Sequence, residues 1–205
     1  MAHAKRRAPR PAPVPQAGEV RIGAGRWRGR RLRFPPAASL RPTPDRVRET
    51  LFNWLAPRLP GARCLDLFAG SGALGFEALS RGAAEAVLVE QHGAAAAALR
   101  QNAQALKAEG ARIVERDALE FLKRPAGAFD IVFLDPPYAC DGAGLLEECL
   151  RLLAQGDWLR PGGLVYLEAR HGRAPALPAG WLLARSKRAG QVGYHLATTP
   201  SASPT

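Results

Sequence analysis

Residues 63–75 of this 205-residue chain have the sequence RCLDLFAGSGALG, and this stretch decides the expected fold. Cys64–Phe68 is apolar apart from Asp66, which is typical of a short buried strand. An apolar helical pattern then begins at Ala73. Between strand and helix lie three glycines, Gly70, Gly72 and Gly75. This order indicates a loop that holds a nucleotide-like ligand, because glycine lets the backbone turn tightly and approach the ligand.

The glycine pattern by itself leaves more than one kind of ligand open. Dinucleotide-binding enzymes share it, and Glu90 lies about twenty residues on, where their ribose-binding acid would be. Asp66 favours another ligand, since a carboxylate would repel a pyrophosphate. S-adenosylmethionine has no phosphate and carries a sulfonium and an ammonium group, so we expect this cofactor in the loop.

Composition argues against a secreted or membrane-spanning protein. Hydrophobic residues make up 47% of the chain, and no apolar run reaches the roughly 20 residues that a membrane span needs. The first fifteen residues are basic and proline-rich without an apolar centre, unlike a secretory signal. Cys64, Cys140 and Cys149 lack metal-ligand spacing, so we expect no metal, free thiols and a reducing cytoplasm.

Positive charge is concentrated in the first quarter of the chain. Residues 1–48 contain 13 Lys/Arg and 2 Asp/Glu, whereas residues 49–205 contain 16 of each. A basic arm on a neutral body points to a polyanion, most simply a nucleic acid. Residues 1–17 are predicted to be a disordered tail, which either binds the polyanion or only aids solubility.

Two short alternating segments, Glu19–Gly23 and Arg30–Phe34, predict a basic β-hairpin. Its arginines can neutralise phosphates and Trp27 can stack on a base. The alternative is an edge hairpin whose Trp27 packs on the body of the protein. The residues of this hairpin that we expect to contact nucleic acid are Arg21, Arg26, Trp27, Arg28, Arg30 and Arg31.

A helix is predicted from Asp45 to Ala56. Thr43 is placed as its N-cap and Pro44 at its first helical position. The expected core stripe consists of Val47, Leu51, Trp54 and Leu55. The residues expected on the opposite side are Arg46, Arg48 and Glu49.

From residue 63 onward, predicted strands alternate with predicted helices. The strands are 63–68, 86–90, 112–116, 130–134 and 163–168, and the helices are 72–81, 92–109 (closed by Gly110), 118–123 and 142–153. Strands 181–187 and 191–197 have no helix between them and should pair as an antiparallel hairpin. The pattern predicts an α/β fold with a mainly parallel sheet covered on both faces.

Four acids fall at or just after successive strand ends: Asp66, Glu90, Asp117 and Asp135. The carboxyl ends of parallel strands meet at one edge of a sheet, where ligands bind. Glu90 could accept hydrogen bonds from the two ribose hydroxyls, and Asp117 one from an adenine amine. A single acid could be a helix cap, but four in series indicate a shared site.

The sequence Asp135-Pro136-Pro137-Tyr138 indicates how a base is held. Two prolines stiffen the turn, so the Asp135 carboxylate and the Pro136 carbonyl form two fixed acceptors. An exocyclic amine on a planar base offers two matching donors, and Tyr138 could stack on that base. The alternative is a rigid loop without catalytic function.

The loop DLFAGSG at 66–72, together with Glu90, Asp117 and DPPY at 135–138, resembles the corresponding motifs of the class I S-adenosylmethionine-dependent amino-methyltransferases. RWRGR at 26–30, LRPTPDRVRETLFNWL at 40–55 and GQV at 190–192 resemble, more narrowly, the bacterial 16S ribosomal RNA (guanine-966-N2)-methyltransferases. The likeness covers about residues 19–198. It implies a Rossmann-like, seven-stranded, mostly parallel sheet with an antiparallel last strand, and a guanine amine as the methyl acceptor.

The resemblance also assigns roles to residues. The expected cofactor-binding residues are Asp66, Phe68, Ala69, Gly70, Ser71, Gly72, Glu90, Asp117, Ala118 and Thr43. The expected catalytic residues are Asp135, Pro136, Pro137 and Tyr138. The resemblance places Arg41, Thr43 and Arg46 near the cofactor or the target as a lid, so Arg41 and Arg46 are also expected to contact RNA. The expected partner is 16S rRNA in the small subunit or its assembly intermediate, and we expect a monomer.

The expected domains are a basic tail (1–17), an RNA-binding hairpin and loop (18–44), a methyltransferase domain (45–199) and a C-terminal tail (200–205). The same residues are also compatible with other functions. The acceptor could be adenine or cytosine in DNA, since both bases carry an amine. The chain could instead be a non-catalytic RNA-binding protein or, less simply, a dinucleotide oxidoreductase.

Overall fold

The computed structural model describes residues 18–35, 43–124, 127–137, 142–170, 176–190 and 192–201. The predicted tail 1–17, Arg41 and Tyr138 lie outside this part of the chain. The strands are β1 (Gly18–Arg21), β2 (Arg31–Phe34), β3 (Arg63–Asp66), β4 (Glu85–Glu90), β5 (Ala111–Glu115), β6 (Phe129–Leu134), β7 (Leu159–Arg170), β8 (Leu182–Ala189) and β9 (Val192–Thr198). The helices are α1 (Asp45–Leu55), α2 (Ala73–Ser80), α3 (Gly93–Leu106), α4 (Ala118–Leu122) and α5 (Gly142–Gln155), with a 3-10 turn at Ala56–Arg58.

Seven strands form one sheet in the order β5-β4-β3-β6-β7-β9-β8. β9 runs antiparallel to both of its neighbours, and the other pairs are parallel. The predicted fold is therefore confirmed, including the reversed last strand. The connection between β8 and β9 is too short for a parallel crossover, so these two strands must be antiparallel.

The sheet has one apolar layer on each face. The first contains Leu51, Phe76 and Phe133 and lies under α1, α2, α3 and the hairpin β1–β2. The second contains Leu65 and Leu150 and lies under α4 and α5. Alternation along the strands explains the division, because successive side chains point to opposite faces.

The hairpin β1–β2 docks on α2 through polar contacts as well as apolar ones. The Glu77 carboxylate accepts hydrogen bonds from the N–H groups of Gly23 (2.7 Å) and Ala24 (3.0 Å). The N–H group of Trp27 donates to Ser80 Oγ at 2.9 Å. Gly25 (φ +81°) lies so close to α2 that a Cβ atom there would be 1.9 Å from the Ser80 carbonyl oxygen. The turn of the hairpin is thus fitted to α2.

Trp27 belongs to the core and not to the exposed tip of the hairpin. Its side chain is only 7% exposed and packs with Val20, Ile22 and Leu32. The expectation that it stacks on an RNA base is therefore replaced by the alternative, in which it packs on the body. The reason is the docking on α2, which turns the indole ring inward.

The start of α1 differs from the prediction. Its N-cap is Pro44, whose ring carries no hydrogen-bond acceptor, and the Thr43 hydroxyl donates to Asp135. Arg48, which we expected on the exposed side, is buried at 4% exposure. α1 ends at Leu55, where the 3-10 turn begins.

α3 ends three residues earlier than expected. Its C-cap is Lys107, which adopts the left-handed conformation (φ 51°), so Gly110 is not the residue that closes the helix. Ala108 is then buried against the core. A buried apolar residue just after the helix outweighs the preference for glycine at its end.

Within the described residues, none of the helices combines the length and the apolarity that crossing a membrane requires.

Replacing Glu77 with Ala should lower the free energy of unfolding by about 3 kcal/mol, because two partly buried N–H groups and the Arg81 guanidinium lose the buried carboxylate that accepts from them. Urea unfolding measures the change. Glu148→Ala is the control, since Glu148 pairs with Arg151 at the surface, and its unfolding midpoint should stay unchanged. Equal midpoints for the two variants would contradict the docking role of Glu77.

Candidate active site

The carboxyl edge of the sheet carries a row of acids on neighbouring strands. The strand order places Asp117, Glu90, Asp66 and Asp135 side by side, because they end or follow β5, β4, β3 and β6. Glu168 near the end of β7 continues the row, because Leu134 pairs with Leu167 in the parallel register. The structure thus brings the four predicted acids to one edge and adds a fifth.

Asp66 is a deeply buried acid at the end of β3. It is 2% exposed, and its Oδ2 accepts a hydrogen bond from the Gly75 N–H at 3.1 Å. The pKa of Asp66 is raised to about 7, chiefly by burial and to a smaller extent by the nearby Glu90, while the N–H groups of Gly75 and Phe68 offset part of the rise. Asp66 therefore changes its charge close to neutral pH.

Glu90 joins the glycine loop to the start of α3. Its Oε2 accepts from the Gly70 N–H at 2.9 Å, and its Oε1 accepts from the His92 N–H at 2.8 Å. The N–H groups of Gly70 in the loop and of Gly75 in the first turn of α2 donate to Glu90 and Asp66, so the two acids hold the loop in shape.

The glycine loop is closely packed. Gly70 and Gly72 both have positive φ values, 49° and 78°, and a Cβ atom on Gly72 would lie 2.6 Å from the Phe76 ring. Of the other predicted loop residues, Ala69 and Ser71 are buried and Phe68 is half-buried. Only glycine at position 72 permits this approach of the loop to α2.

Asp117 is the exposed member of the row. It is the N-cap of α4, and its Oδ1 accepts from the Glu120 N–H at 3.1 Å. The capping explanation therefore applies to this acid. Its second oxygen is not used by the cap, and Ala118 beside it is buried.

Asp135 lies next to a hydroxyl group and among other acids. The Thr43 hydroxyl donates to Asp135 Oδ2 at 3.0 Å. Burial raises the pKa of Asp135 well above its ordinary value, Glu168 and Asp66 raise it further, and the Thr43 hydrogen bond lowers it in part. Pro136 is buried and Pro137 is half-buried, so the described part of the turn is enclosed.

Arg48 positions Thr43, a role that the sequence pattern did not predict. Its guanidinium donates to the Thr43 carbonyl oxygen (3.2 Å), to the Arg21 carbonyl oxygen (2.7 Å) and to Asp45 Oδ1 (2.8 Å). Residues 48, 51, 52 and 55 have helical spacing, and all are buried. This spacing indicates that position 48 belongs to the buried side of the helix. A search for apolar residues leaves it out because arginine is charged.

Glu168 is the second functional candidate that was missed. It is buried, and its Oε1 accepts a hydrogen bond from the Tyr166 hydroxyl at 2.7 Å. The signal was an acid near a strand end, as for the other four acids.

The predicted RNA-binding arginines of the hairpin and α1 are exposed: Arg21, Arg26, Arg28, Arg30, Arg31 and Arg46. Arg30 donates to the Ala105 carbonyl oxygen, Arg31 pairs with Glu19, and Arg26 lies over the Trp27 ring. Arg28 forms no ion pair with a residue in the described ranges. These side chains are accessible to a polyanion.

The chemistry of the site suits a cationic cofactor. The buried carboxylates at the ends of β3 and β4 and the half-buried Asp135 after β6 favour sulfonium and ammonium groups and disfavour phosphate. The unused lone pairs of the Glu90 carboxylate could accept hydrogen bonds from ribose hydroxyls. The residues present therefore fit S-adenosylmethionine and do not fit a dinucleotide.

The fold and the site together define a class I methyltransferase. Counted without the hairpin, the strand order is 3-2-1-4-5-7-6 with the last strand reversed, and the glycine loop follows the first strand.

Comparisons with known proteins agree. The model of the family described as "Conserved hypothetical protein 95" matches residues 20–198. The chain is 51% identical to ribosomal RNA small subunit methyltransferase D of Escherichia coli, over 88% of this chain and 90% of that protein. It is 46% identical to the protein of the same name from Haemophilus influenzae, over 87% and 93%. The solved structure of the Escherichia coli protein yhhF is 48% identical and covers 90% of this chain and 99% of its own, with a TM-score of 0.82.

The chain therefore belongs to the family of the ribosomal RNA small subunit methyltransferases D.

Asp66 should make stability depend on pH in a way that Asp66→Asn removes. Unfolded Asp66 ionises near pH 4, whereas in the folded protein its pKa is about 7. Between these values the folded state keeps a proton that the unfolded state has lost, so rising pH favours unfolding.

The stability of the wild type relative to Asp66→Asn should thus fall by up to about 4 kcal/mol from pH 4 to pH 7 and then level off. Urea unfolding of cofactor-free protein at a series of pH values measures it. A difference that does not vary with pH would contradict the assignment.

Thr43→Val should raise the pKa of Asp135 further, because the lost hydroxyl stabilises the ionised carboxylate. Thr43→Ser keeps the hydroxyl and should leave this pKa near the wild-type value. Carboxyl ¹³C NMR titration of Asp135 in the three proteins distinguishes the outcomes. The same pKa in Thr43→Val and Thr43→Ser would show that the hydroxyl has no influence.

Proposed function

We propose that this protein transfers a methyl group from S-adenosyl-L-methionine to the exocyclic N2 of a guanine in 16S rRNA, at position 966 by family resemblance. The observation that carries the proposal is the half-buried Asp135 in the row of acids, beside the glycine loop and followed by two prolines. The names of the similar Escherichia coli and Haemophilus influenzae proteins support a substrate in the small ribosomal subunit.

The cofactor-binding residues would be those of the loop and of the neighbouring strand ends. Phe68–Gly72 forms the wall of the cofactor site, Glu90 accepts from the ribose hydroxyls, and Asp117 accepts from the adenine amine. Asp66 keeps the loop in shape and contributes negative charge near the cationic end. When bound, the cofactor supplies an electrophilic methyl group on a sulfonium.

Asp135 and Pro136 would hold the guanine amine. The Asp135 carboxylate and the Pro136 carbonyl oxygen accept its two N–H bonds, which makes the nitrogen more pyramidal and more nucleophilic. Tyr138 would stack on the flipped base. Held in this way, the amine would be positioned for in-line displacement of the methyl group from the sulfonium sulfur, with the thioether as the leaving group, and positioning is the main requirement of such a transfer.

The product nitrogen must lose one proton. Asp135 is well suited to accept it, since surrounding acids and burial raise the pKa of this carboxyl and make the ionised form a stronger base. The Thr43 hydroxyl occupies one oxygen of Asp135 and thereby orients the other toward the amine.

RNA would be bound by the exposed arginines of the extension. Arg21, Arg26, Arg28, Arg30 and Arg31 lie on or next to the hairpin, and Arg46 lies near the start of α1. Contacts to phosphates give affinity without sequence specificity. The guanine would be selected by the pocket, and its position by the particle in which it is presented.

Asp135→Ala should lower methyl transfer to unmethylated small ribosomal subunits by at least roughly 10²-fold and leave cofactor affinity within a few-fold. Radiolabelled methyl transfer and calorimetry measure the two quantities. The matched control is Asp157→Ala, an exposed aspartate between α5 and β7, which should behave like the wild type.

Mapping the modified nucleotide in 16S rRNA tests the acceptor. Full activity of Asp135→Ala would disprove the function assigned to the turn. Methylation of plasmid DNA but not of the subunits would favour a DNA amino-methyltransferase. Absence of cofactor affinity in the wild type would favour a non-catalytic RNA-binding protein.

A further inference from the structure

β8 is an exposed, basic edge strand to which no function has yet been assigned. Arg185, Lys187 and Arg188 are all exposed, and the sequence from Leu182 to Ser201 contains no Asp or Glu. None of the three makes an ion pair with a residue that the structure describes. We call these three residues the β8 surface. Its positive charge is uncompensated and faces solvent.

The register of the sheet places the β8 surface at the carboxyl edge, where the row of acids lies. Glu168 pairs with Tyr194, and Tyr194 pairs with Lys187. Arg188 lies in the next row, with Gly193 and Ala169. Leu134 pairs with Leu167, so the next residue, Asp135, is level with Glu168. Asp135 therefore lies in the same transverse row as Lys187. Three strand spacings separate β6 from β8, or roughly 14 Å.

The β8 surface reaches both faces of the sheet. Lys187 shares a face with its partner Tyr194, whose ring stacks on Trp54 of α1 with the centroids 5.5 Å apart. Arg188 shares the opposite face with Gly193. The turn at Gly190, in the GQV motif, has a positive φ of 59° and lies beyond these residues at the same edge. A polyanion that crosses the catalytic edge would therefore meet positive charge on either face.

Protection of an edge strand explains these charges less well. Lysine on an edge prevents pairing with other chains, and such protection is needed most beside exposed apolar residues. The exposed apolar residues of β8 are Leu182 and Leu183, at 68% and 48% exposure. They lie at the far end of the strand, where Leu182 pairs with Thr198. The charges are instead concentrated in the half of the strand nearest to the row of acids.

We propose that Arg185, Lys187 and Arg188 bind phosphates of the rRNA that flanks the target guanine, as a second contact surface besides the hairpin extension. The inference rests on the proposed function. A row of buried acids repels an RNA backbone, so phosphates on either side of the flipped base need cations nearby. The extension packs on α2 and α3, over β3, β4 and β5, whereas the β8 surface supplies cations beyond β7, on the other side of Asp135.

The test compares two variants that each lose two exposed positive charges. Lys187→Gln/Arg188→Gln alters the β8 surface. Lys123→Gln/Arg124→Gln is the matched control. These two residues directly follow α4, whose Phe121 contacts Trp158 just before β7. Binding to small ribosomal subunits that lack the methyl group is measured as a function of salt, together with KM, kcat and cofactor affinity.

We expect Lys187→Gln/Arg188→Gln to weaken subunit binding about 10- to 100-fold at low salt and to reduce the log–log salt slope by about 2. KM should rise in parallel, while kcat and cofactor affinity stay within about twofold of the wild type. The control variant should match the wild type in every quantity. Deproteinised 16S rRNA should show the same loss of affinity as the subunits.

Several results would overturn the inference. One is wild-type affinity and slope in Lys187→Gln/Arg188→Gln, and another is an equal loss in the control. A loss for subunits but not for deproteinised rRNA would assign the surface to a ribosomal protein. Failure of the proposed function is separate, because it would show as absence of subunit methylation by the wild type itself.

Discussion

Negative charge buried at one edge of the sheet is the constraint on which the rest of this structure depends. Asp66, Glu90 and Glu168 are all buried there, and Asp135 is half-buried among them. A carboxylate withdrawn from water is costly unless hydrogen bonds or positive charge compensate it. The N–H groups of Gly70 and Gly75 compensate in part, and burial still raises the pKa of Asp66 and Asp135. A cationic ligand would relieve the remaining cost, which supports the cofactor that we propose for this site.

Hydrogen bonds connect the hairpin extension to the carboxyl edge of the sheet. Glu77 and Ser80 of α2, the helix that begins at the glycine loop, accept the N–H groups of the hairpin turn. Arg48 connects the Arg21 carbonyl oxygen of β1 to the Thr43 carbonyl oxygen, and the Thr43 hydroxyl donates to Asp135. The element that we propose to bind RNA is thus joined by consecutive hydrogen bonds to the acid that we propose to hold the base. Displacement of the hairpin would therefore disturb the hydrogen bond from Thr43 to Asp135.

Much of the fold, and the placement of four acids at one edge of the sheet, could be predicted because they depend on local patterns. The strand and glycine turn at residues 63–75 are confirmed, as is the antiparallel hairpin near the C-terminus. The errors concern residues whose environment comes from distant parts of the chain. Trp27 and Arg48 were both interpreted by residue type, one as an aromatic ring for a base and the other as a surface cation. Contacts with α2 and with β1 bury them instead.

By itself, the sequence determined the alternation of strands and helices, the acids at the strand ends and the stiff Asp-Pro-Pro turn, since periodicity and residue chemistry act over a few positions. Only the tertiary structure decided which strands are neighbours, that Glu168 extends the row of acids, and that Thr43 bonds to Asp135 instead of capping α1. The reason is physical: hydrogen-bond partners far apart along the chain, such as Thr43 and Asp135, meet only after the sheet has assembled, and no local pattern encodes that meeting.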